Sequence, residues 1–212
     1  MKDWSQNGES LVIAEIFDAL GIRKGYAIDI GAGNGRDLSN TRNLVEAGWK
    51  AKLYDGDPQG AEGVEQVWVD LSLIIGIAER SKIGEDQPPD FLSIDVDGLD
   101  YWFLDAFLSV TEPILVLCEY NPIWGRNEAM TIPLNESHRW DGTTYYGASL
   151  AAFELLAKKH GYTLIRTHAG INAFLLRNDH AKAHPELIRP IEYRIKHDHA
   201  RHNPELPWIT LS

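Results

Sequence analysis

The residues best suited to chemistry are glycines and acids, spaced along the first two thirds of the chain. A short apolar run, Tyr26 to Ile30, breaks at Gly31-Ala32-Gly33-Asn34-Gly35. Glycines at alternate positions let the backbone turn sharply and keep side chains out of a ligand's way. The following residues, Arg36 to Val45, are helix-compatible. A strand, a glycine turn and a helix start make a nucleotide-type cradle, although glycine-rich turns also occur as plain loops. Asp55 lies ~20 residues further on, where a carboxylate can accept both ribose hydroxyls of an adenosine. Asp57 follows it as a turn former. Asp70 could accept the exocyclic amine of an adenine, or simply cap a helix.

A second group of acids follows. Asp95 and Asp97 share a face by strand alternation. Glu119 ends the next apolar run, PILVLCEY, so adjacent parallel strands would bring it close to them. Carboxylates crowded at a cleft share a proton or hold a hard cation through oxygen ligands; otherwise they act as caps and hydrogen-bond acceptors. His138, in NESHRWDGTTYYG, could serve as a general base near neutral pH, and Asp97 is the second candidate. An exposed loop histidine is the plainer reading of His138. Cys118 reads as a small buried hydrophobe.

These residues need elements to hold them. Apolar spacing predicts helices over Gly8–Leu20, Leu71–Arg80, Tyr101–Leu108 and Gly147–His160. Leu38, Leu44, Val45 and Ala47 give the helix after the glycine turn its apolar side. Strands are expected at Tyr26–Ile30, Trp49–Tyr54, Val64–Val69, Asp90–Val96 and Pro113–Tyr120. Two more, Tyr162–Thr167 and Asn172–Leu176, are joined by a hairpin turn at HAGI. KIGEDQPP reads as a polar loop. The alternation predicts an α/β fold with a doubly wound, mainly parallel sheet covered on both faces, and the hairpin makes it a mixed sheet of seven strands. Ligands bind such sheets at the carboxyl ends of the strands, where the acids and glycines fall. The long aromatic segment Asn121–Tyr146 is expected to be a lid or substrate loop.

Composition narrows the function classes. With 212 residues one domain is the default, and 44% hydrophobic content with seven tryptophans argues against disorder. A net charge of −11 without a basic stripe excludes duplex nucleic acid as a partner. A single cysteine rules out an intrachain disulfide. The N-terminus MKDWSQNGES shows no apolar signal region, and no apolar run approaches the ~20 residues of a membrane span. The expectation is a soluble, cytoplasmic protein. Residues 180–212 carry five of the eight histidines. They read as a tail with surface histidines, a helix or an arm over a neighbouring subunit, which leaves a homo-oligomer open.

The chain resembles class I S-adenosylmethionine-dependent methyltransferases through DIGAGNG. Within that class it is similar to the FkbM-type branch, through SQNGES, DFLSIDVDGLDYW, ILVLCEYNP, YYGASLAAFELLAKKHGYTL and GINAFLLR, in that order. The resemblance covers residues 5 to 179 and has no counterpart for the tail, so it divides the chain into a 1–179 methyltransferase domain and a 180–212 extension. It implies a Rossmann-like fold, S-adenosyl-L-methionine as donor, and O-methylation of a sugar or another hydroxylated small molecule. It places Asp29, Gly31, Gly33, Gly35, Asp55, Asp70 and Asp95 on the cofactor side, with the three glycines at its methionine part. It also implies a divalent cation such as Mg2+ between Asp95, Glu119 and Asn121. Two positions depart from the family pattern: Asn121, often an acid in metal-using relatives, and Asp55, usually a glutamate. Two other readings remain. One is an NAD-linked oxidoreductase, disfavoured because GAGNG lacks the last glycine of GxGxxG at its spacing. The other is a non-catalytic nucleotide-binding module on the same fold.

Overall fold

A computed structural model describes residues 2–85, 88–193 and 206–212. The strands are β1 (Tyr26–Ile30), β2 (Lys50–Asp55), β3 (Val64–Gln66), β4 (Phe91–Ile94), β5 (Leu115–Glu119), β6 (Met130–Thr131), β7 (Tyr162–His168), β8 (Asn172–Arg177) and β9 (Ile209–Thr210). The helices are α1 (Glu9–Ala19), α2 (Arg42–Glu46), α3 (Leu71–Glu85), α4 (Asp100–Leu108), α5 (Leu150–Lys159) and α6 (Asn178–Ala183). Seven strands form one sheet in the order β3-β2-β1-β4-β5-β8-β7. The first five run parallel, while β8 is antiparallel to both β5 and β7. This is the Rossmann-like, mixed, seven-stranded sheet expected from the pattern. Strand order reverses between β1 and β4, the crevice where such folds bind ligands.

Alternation along the strands explains the two covered faces. Leu92, Ile94, Val116 and Cys118 point to one side, where they pack with Ile74 and Ile77 of α3, Phe107 of α4 and Phe153 of α5. Phe91, Leu115 and Leu117 point to the other and meet Ile13, Ile16 and Phe17 of α1. A strand buried on both faces must be apolar at every position, which is why β4 and β5 read as nearly unbroken hydrophobic runs.

Three elements differ from expectation. The helix after the glycine turn starts at Arg42, not Arg36. Asn34 Oδ1 accepts hydrogen bonds from the Arg36 and Asp37 amides at 3.0 and 2.8 Å, and Ser39 Oγ accepts from Thr41 and Arg42 at 3.3 and 3.1 Å. These side chains hold a turn where propensity favours a helix. Leu38 consequently sits at φ 60° and is 67% exposed rather than packed on the helix's apolar side. The third strand ends at Gln66, and Val67 to Asp70 continue as irregular backbone. Helix α3 extends to Glu85, into the expected polar loop; Asp86 and Gln87 of that loop lie outside the described residues.

The C-terminal segment folds back on its own chain. The Arg189 amide donates to the Ile165 carbonyl at 2.8 Å, Thr167 Oγ1 donates to the Glu192 carbonyl at 2.7 Å, and β9 pairs antiparallel with β6. The tail histidines expected at the surface are half-buried where described: His180 lies against Arg177, and His184 pairs with Glu186 at 3.0 Å. His197, His199 and His202 lie outside the described residues. No described helix is long and apolar enough to cross a membrane.

Candidate functional site

A cavity of ≈ 830 Å³ opens at the carboxyl ends of β1, β2, β4 and β5. The glycine turn forms one wall. Gly31 and Ala32 donate their amides to the Tyr54 carbonyl at 2.9 and 3.1 Å, which folds the turn towards β2. A Cβ on Gly31 would lie 1.6 Å from the Asp95 carbonyl oxygen, and its φ is 88°. Only glycine fits between β1 and β4 at this point. Gly33, at φ 55°, has open space where a Cβ would stand, and its amide donates to Asp55 Oδ2 at 2.7 Å. Asp55 Oδ1 accepts from the Asp57 amide, also at 2.7 Å. Asp55 thus ties the glycine turn to the end of β2 and stands on the cavity wall. Gly35 has another duty: a Cβ there would meet Leu53 and Val64 at 2.9 Å, so it permits close packing and does not line this cavity.

Beyond Asp55, Gly56 is covered by the Trp68 ring, which a Cβ would meet at 2.5 Å. Trp68 is 61% exposed, lines the cavity, and has the Arg139 guanidinium 4.5 Å from its ring centroid. Together they make an aromatic and cationic margin next to Asp55.

The acids meet on the other side. Asp95, Asp97 and Glu119 each present a carboxylate oxygen within 4.8 Å of the others. Burial, then the neighbouring Asp100 and Asp97, push the Asp95 carboxyl well above the usual carboxylate range; burial, then Asp95, does the same to Glu119. Asp97 sits in the left-handed region at φ 52°, a strained setting for a non-glycine residue. The turn that carries it is held by Asp100, whose Oδ1 accepts from the Val96 amide at 2.8 Å and whose Oδ2 accepts from Gly98 at 2.9 Å. Asp100 is fully buried and its pKa is pushed up to about 6, chiefly by that burial. Sequence reading passed over Asp100 because it looks like an ordinary first-turn acid of α4.

His138 reaches the cavity from the long loop and lies over this turn: a Cβ on Gly98 would meet its Cδ2 at 2.8 Å. Its Nε2 is buried without a hydrogen-bond partner among the described residues, and desolvation holds its pKa below the ordinary 6.5. The imidazole is therefore neutral at neutral pH and can accept a proton. Glu136 anchors the same loop by accepting from the Leu71 amide at 2.8 Å, and Trp140 and Tyr146, 6.1 Å apart, close the wall.

Three other expected site residues stand elsewhere. Asn121 is fully buried; its amide donates to the Thr144 and Tyr146 carbonyls at 2.8 and 2.9 Å, and its Oδ1 accepts from Ile123 at 3.1 Å. All its polar atoms hold the loop, and Asp97 takes the third place beside Asp95 and Glu119. Asp70 is exposed and caps α3, accepting from Ser72 Oγ and the Leu73 amide at 2.8 Å. Asp29 is buried beneath the glycine turn, accepts from Thr41 Oγ1 at 2.8 Å, and does not line the cavity. Trp68, Arg139 and Tyr146 were the unmarked wall residues. An aromatic just beyond the third strand was the signal for Trp68.

Chemically, Asp55, Asp57 and Asp97 give the cavity wall negative charge, and Asp95 and Glu119 add carboxyl groups whose ionisation burial opposes. Such a wall suits a cationic ligand, and the glycine turn gives a ligand room to approach the backbone.

No protein-family profile and no curated protein matches the sequence. Among solved structures, the fold is similar to the Burkholderia thailandensis 1,6-didemethyltoxoflavin-N1-methyltransferase with bound 1,6-didemethyltoxoflavin and S-adenosylhomocysteine (TM-score 0.49, 17% identity, 83% of this chain and 81% of that one). It is also similar to the N-terminal domain of EvdMO1 in the presence of SAH and D-fucose (0.45, 12%, 82% and 84%). A third similar structure is the bifunctional kinase-methyltransferase WbdD (0.47, 16%, 84% and 40%).

Proposed function

We propose that the chain is an S-adenosylmethionine-dependent O-methyltransferase of the FkbM-type branch, acting on a hydroxyl of a sugar or similar hydroxylated small molecule. The observation that carries this reading is the Gly31–Gly33–Asp55 arrangement facing an acidic cavity. It pairs close backbone approach with a ribose-accepting carboxylate and a wall suited to a sulfonium. The order of motifs from SQNGES to GINAFLLR supports the branch.

When bound, the donor supplies an electrophilic methyl group. Gly31 and Gly33 would lie beside its amino-acid part, Asp55 would accept from its ribose hydroxyls, and Trp68 would cover its base. The residues at β4 and β5 orient the acceptor: Trp140 and Tyr146 give apolar wall, and the acids accept from hydroxyl groups. Holding the acceptor oxygen in line with the methyl group supplies much of the rate. His138, neutral and close to the Asp97 turn, accepts the hydroxyl proton; Asp97 is the second candidate.

Asp95, Asp97 and Glu119 fit a divalent cation such as Mg2+, because three oxygen donors converge and their mutual repulsion would be relieved. Asn121 does not fit it, its amide being spent on carbonyl groups. A cation held there would lower the pKa of an acceptor hydroxyl. We assign residues 1–179 to the catalytic unit and 180–212 to a C-terminal tail or arm.

Calorimetric titration tests the reading. S-adenosylmethionine is expected to bind at micromolar to millimolar concentration and NAD not to bind. Absence of S-adenosylmethionine binding at millimolar concentration would overturn it.

A further inference from the structure

Among the described residues, seven large hydrophobic side chains are exposed, and three of them, Leu38, Trp68 and Trp140, line the cavity. Leu38 is the most exposed of the seven. Its φ of 60° lies in the left-handed region, which asparagine and aspartate enter readily and a bulky residue rarely does. The turn around it is firmly held. Asp37, just before it, donates its amide to Asn34 Oδ1 at 2.8 Å. Ser39, just after it, is buried and accepts from the Thr41 and Arg42 amides. Asn40 Nδ2 donates to Ser93 Oγ on β4 at 3.3 Å, and Thr41 Oγ1 donates to Asp29 Oδ2 on β1 at 2.8 Å. These bonds tie the turn to the central strands and hold one isobutyl group out of the core.

Leu38 destabilises the fold in two ways, through its backbone conformation and through apolar surface left in water. It packs into neither hydrophobic core of the described residues, so no burial offsets either effect. Strain kept without a packing reason at a cavity wall points to a ligand. The contact on offer is apolar, which limits what can use it. The donor's amino-acid end is charged and its ribose carries hydroxyls, so neither gains from an isobutyl group. Trp140 offers a second apolar surface on the same cavity, and its indole is fixed because Nε1 donates to the Thr143 carbonyl at 2.7 Å. The acids of β4 and β5 line that cavity too. A molecule reaching from those acids to Leu38 presents hydroxyls at one end and hydrocarbon at the other, and the acids disfavour an anionic one.

We infer that Leu38 is a specificity-determining residue that, with Trp140, holds an apolar aglycone of the acceptor. The acceptor is then a glycoside carrying an alkyl or aryl group, not a free sugar. This rests on the methyltransferase reading above and narrows its acceptor.

The test uses calorimetry on the full chain loaded with S-adenosylhomocysteine. The probes are n-octyl β-glucoside, kept below its micelle concentration, and methyl β-glucoside, which share the sugar and differ in hydrocarbon. Wild-type protein is expected to bind the octyl compound at least about tenfold more tightly. Leu38→Asn, which suits the left-handed backbone, should remove most of that preference and leave the affinity for S-adenosylhomocysteine unchanged. It should also raise the melting temperature by about 2–4 °C. Leu11→Ala alters another exposed leucine, on α1 and outside the cavity lining, and should keep the preference. Loss of the preference in Leu11→Ala as well would mean that hydrocarbon binds the surface at large, and would overturn the inference. Equal binding of the two glucosides by the loaded wild-type protein, or binding of neither, overturns it and leaves the donor reading in place. So does a preference undiminished in Leu38→Asn, or a lower melting temperature, which would give the leucine a structural duty. If wild-type protein does not bind S-adenosylhomocysteine, the donor reading falls and this inference with it.

Discussion

Asp29 shows how burial sets a residue's behaviour. Its pKa is raised to about 6, burial being the main cause, against an ordinary 3.8. A raised carboxylate contributes stability that is complete below its unfolded pKa and is lost as pH rises through the folded value. At pH 8 the ionised, buried group costs on the order of 3 kcal/mol. Asp29→Asn keeps an acceptor for Thr41 and removes the charge. It is expected to raise the melting temperature by several degrees at pH 8 and by much less at about pH 4, near the ordinary carboxylate value; the same shift at both values would show that desolvation is not the cause. His138 has the opposite sign. Burial lowers its pKa, so the acid limb of the proposed methyl-transfer profile should fall below pH 6.5. His138→Ala should reduce kcat by about a hundredfold or more and flatten that limb, and undiminished turnover would remove it as the base. Asn121→Asp places a carboxylate against two carbonyl oxygens and should destabilise the fold by about 2–4 kcal/mol, read from urea denaturation.

At the scale of elements, the long loop and the C-terminal segment behave as one unit. Trp208 packs 4.9 Å from Trp124 and 5.3 Å from Tyr145, the Tyr145 hydroxyl donates to the Pro207 carbonyl at 2.8 Å, and the Leu211 amide donates to Ala129 at 2.8 Å. Truncation before Leu206 removes β9 and this aromatic contact. Amide exchange around β6 should then accelerate at least about tenfold, while β4 and β5 exchange as before; unchanged exchange around β6 would mean that the loop holds itself. None of this pairing could be read from the sequence, because a two-residue strand has no period and its partner is about 80 positions away. The central strands were legible for the converse reason, since a run such as PILVLCEY admits few alternatives. The start of α2 was not, because Asn34 and Ser39 override local propensity through bonds within five residues. Asp95, Glu119 and His138 were found by their places at strand ends and in the loop. Asn121 was misplaced because its partners lie 23 and 25 residues away, on a loop whose path no local pattern fixes.

At the scale of the molecule, an acidic cavity sits inside a protein of net charge −11. Carboxylates that repel one another across the cleft make the empty protein less stable than its core alone would allow. Millimolar Mg2+ is expected to raise the melting temperature of wild-type protein at pH 8 and to have little effect on Glu119→Gln; equal shifts in both would place the ion elsewhere. The seat of Trp68 also has an optical consequence. Trp49 is buried against Phe17, with ring centroids 4.6 Å apart, and its emission reports only whether the fold is intact. Trp68 stands at the cavity margin in water, so its emission is long in wavelength and open to collisional quenchers such as acrylamide. Filling the cavity should shield Trp68 and, to a smaller extent, Trp140, which also lines it, shift the spectrum towards the blue and reduce quenching, and a Trp68→Phe protein should show a much smaller change. The chain thus carries its own fluorescent gauge of occupancy, separate from its gauge of folding.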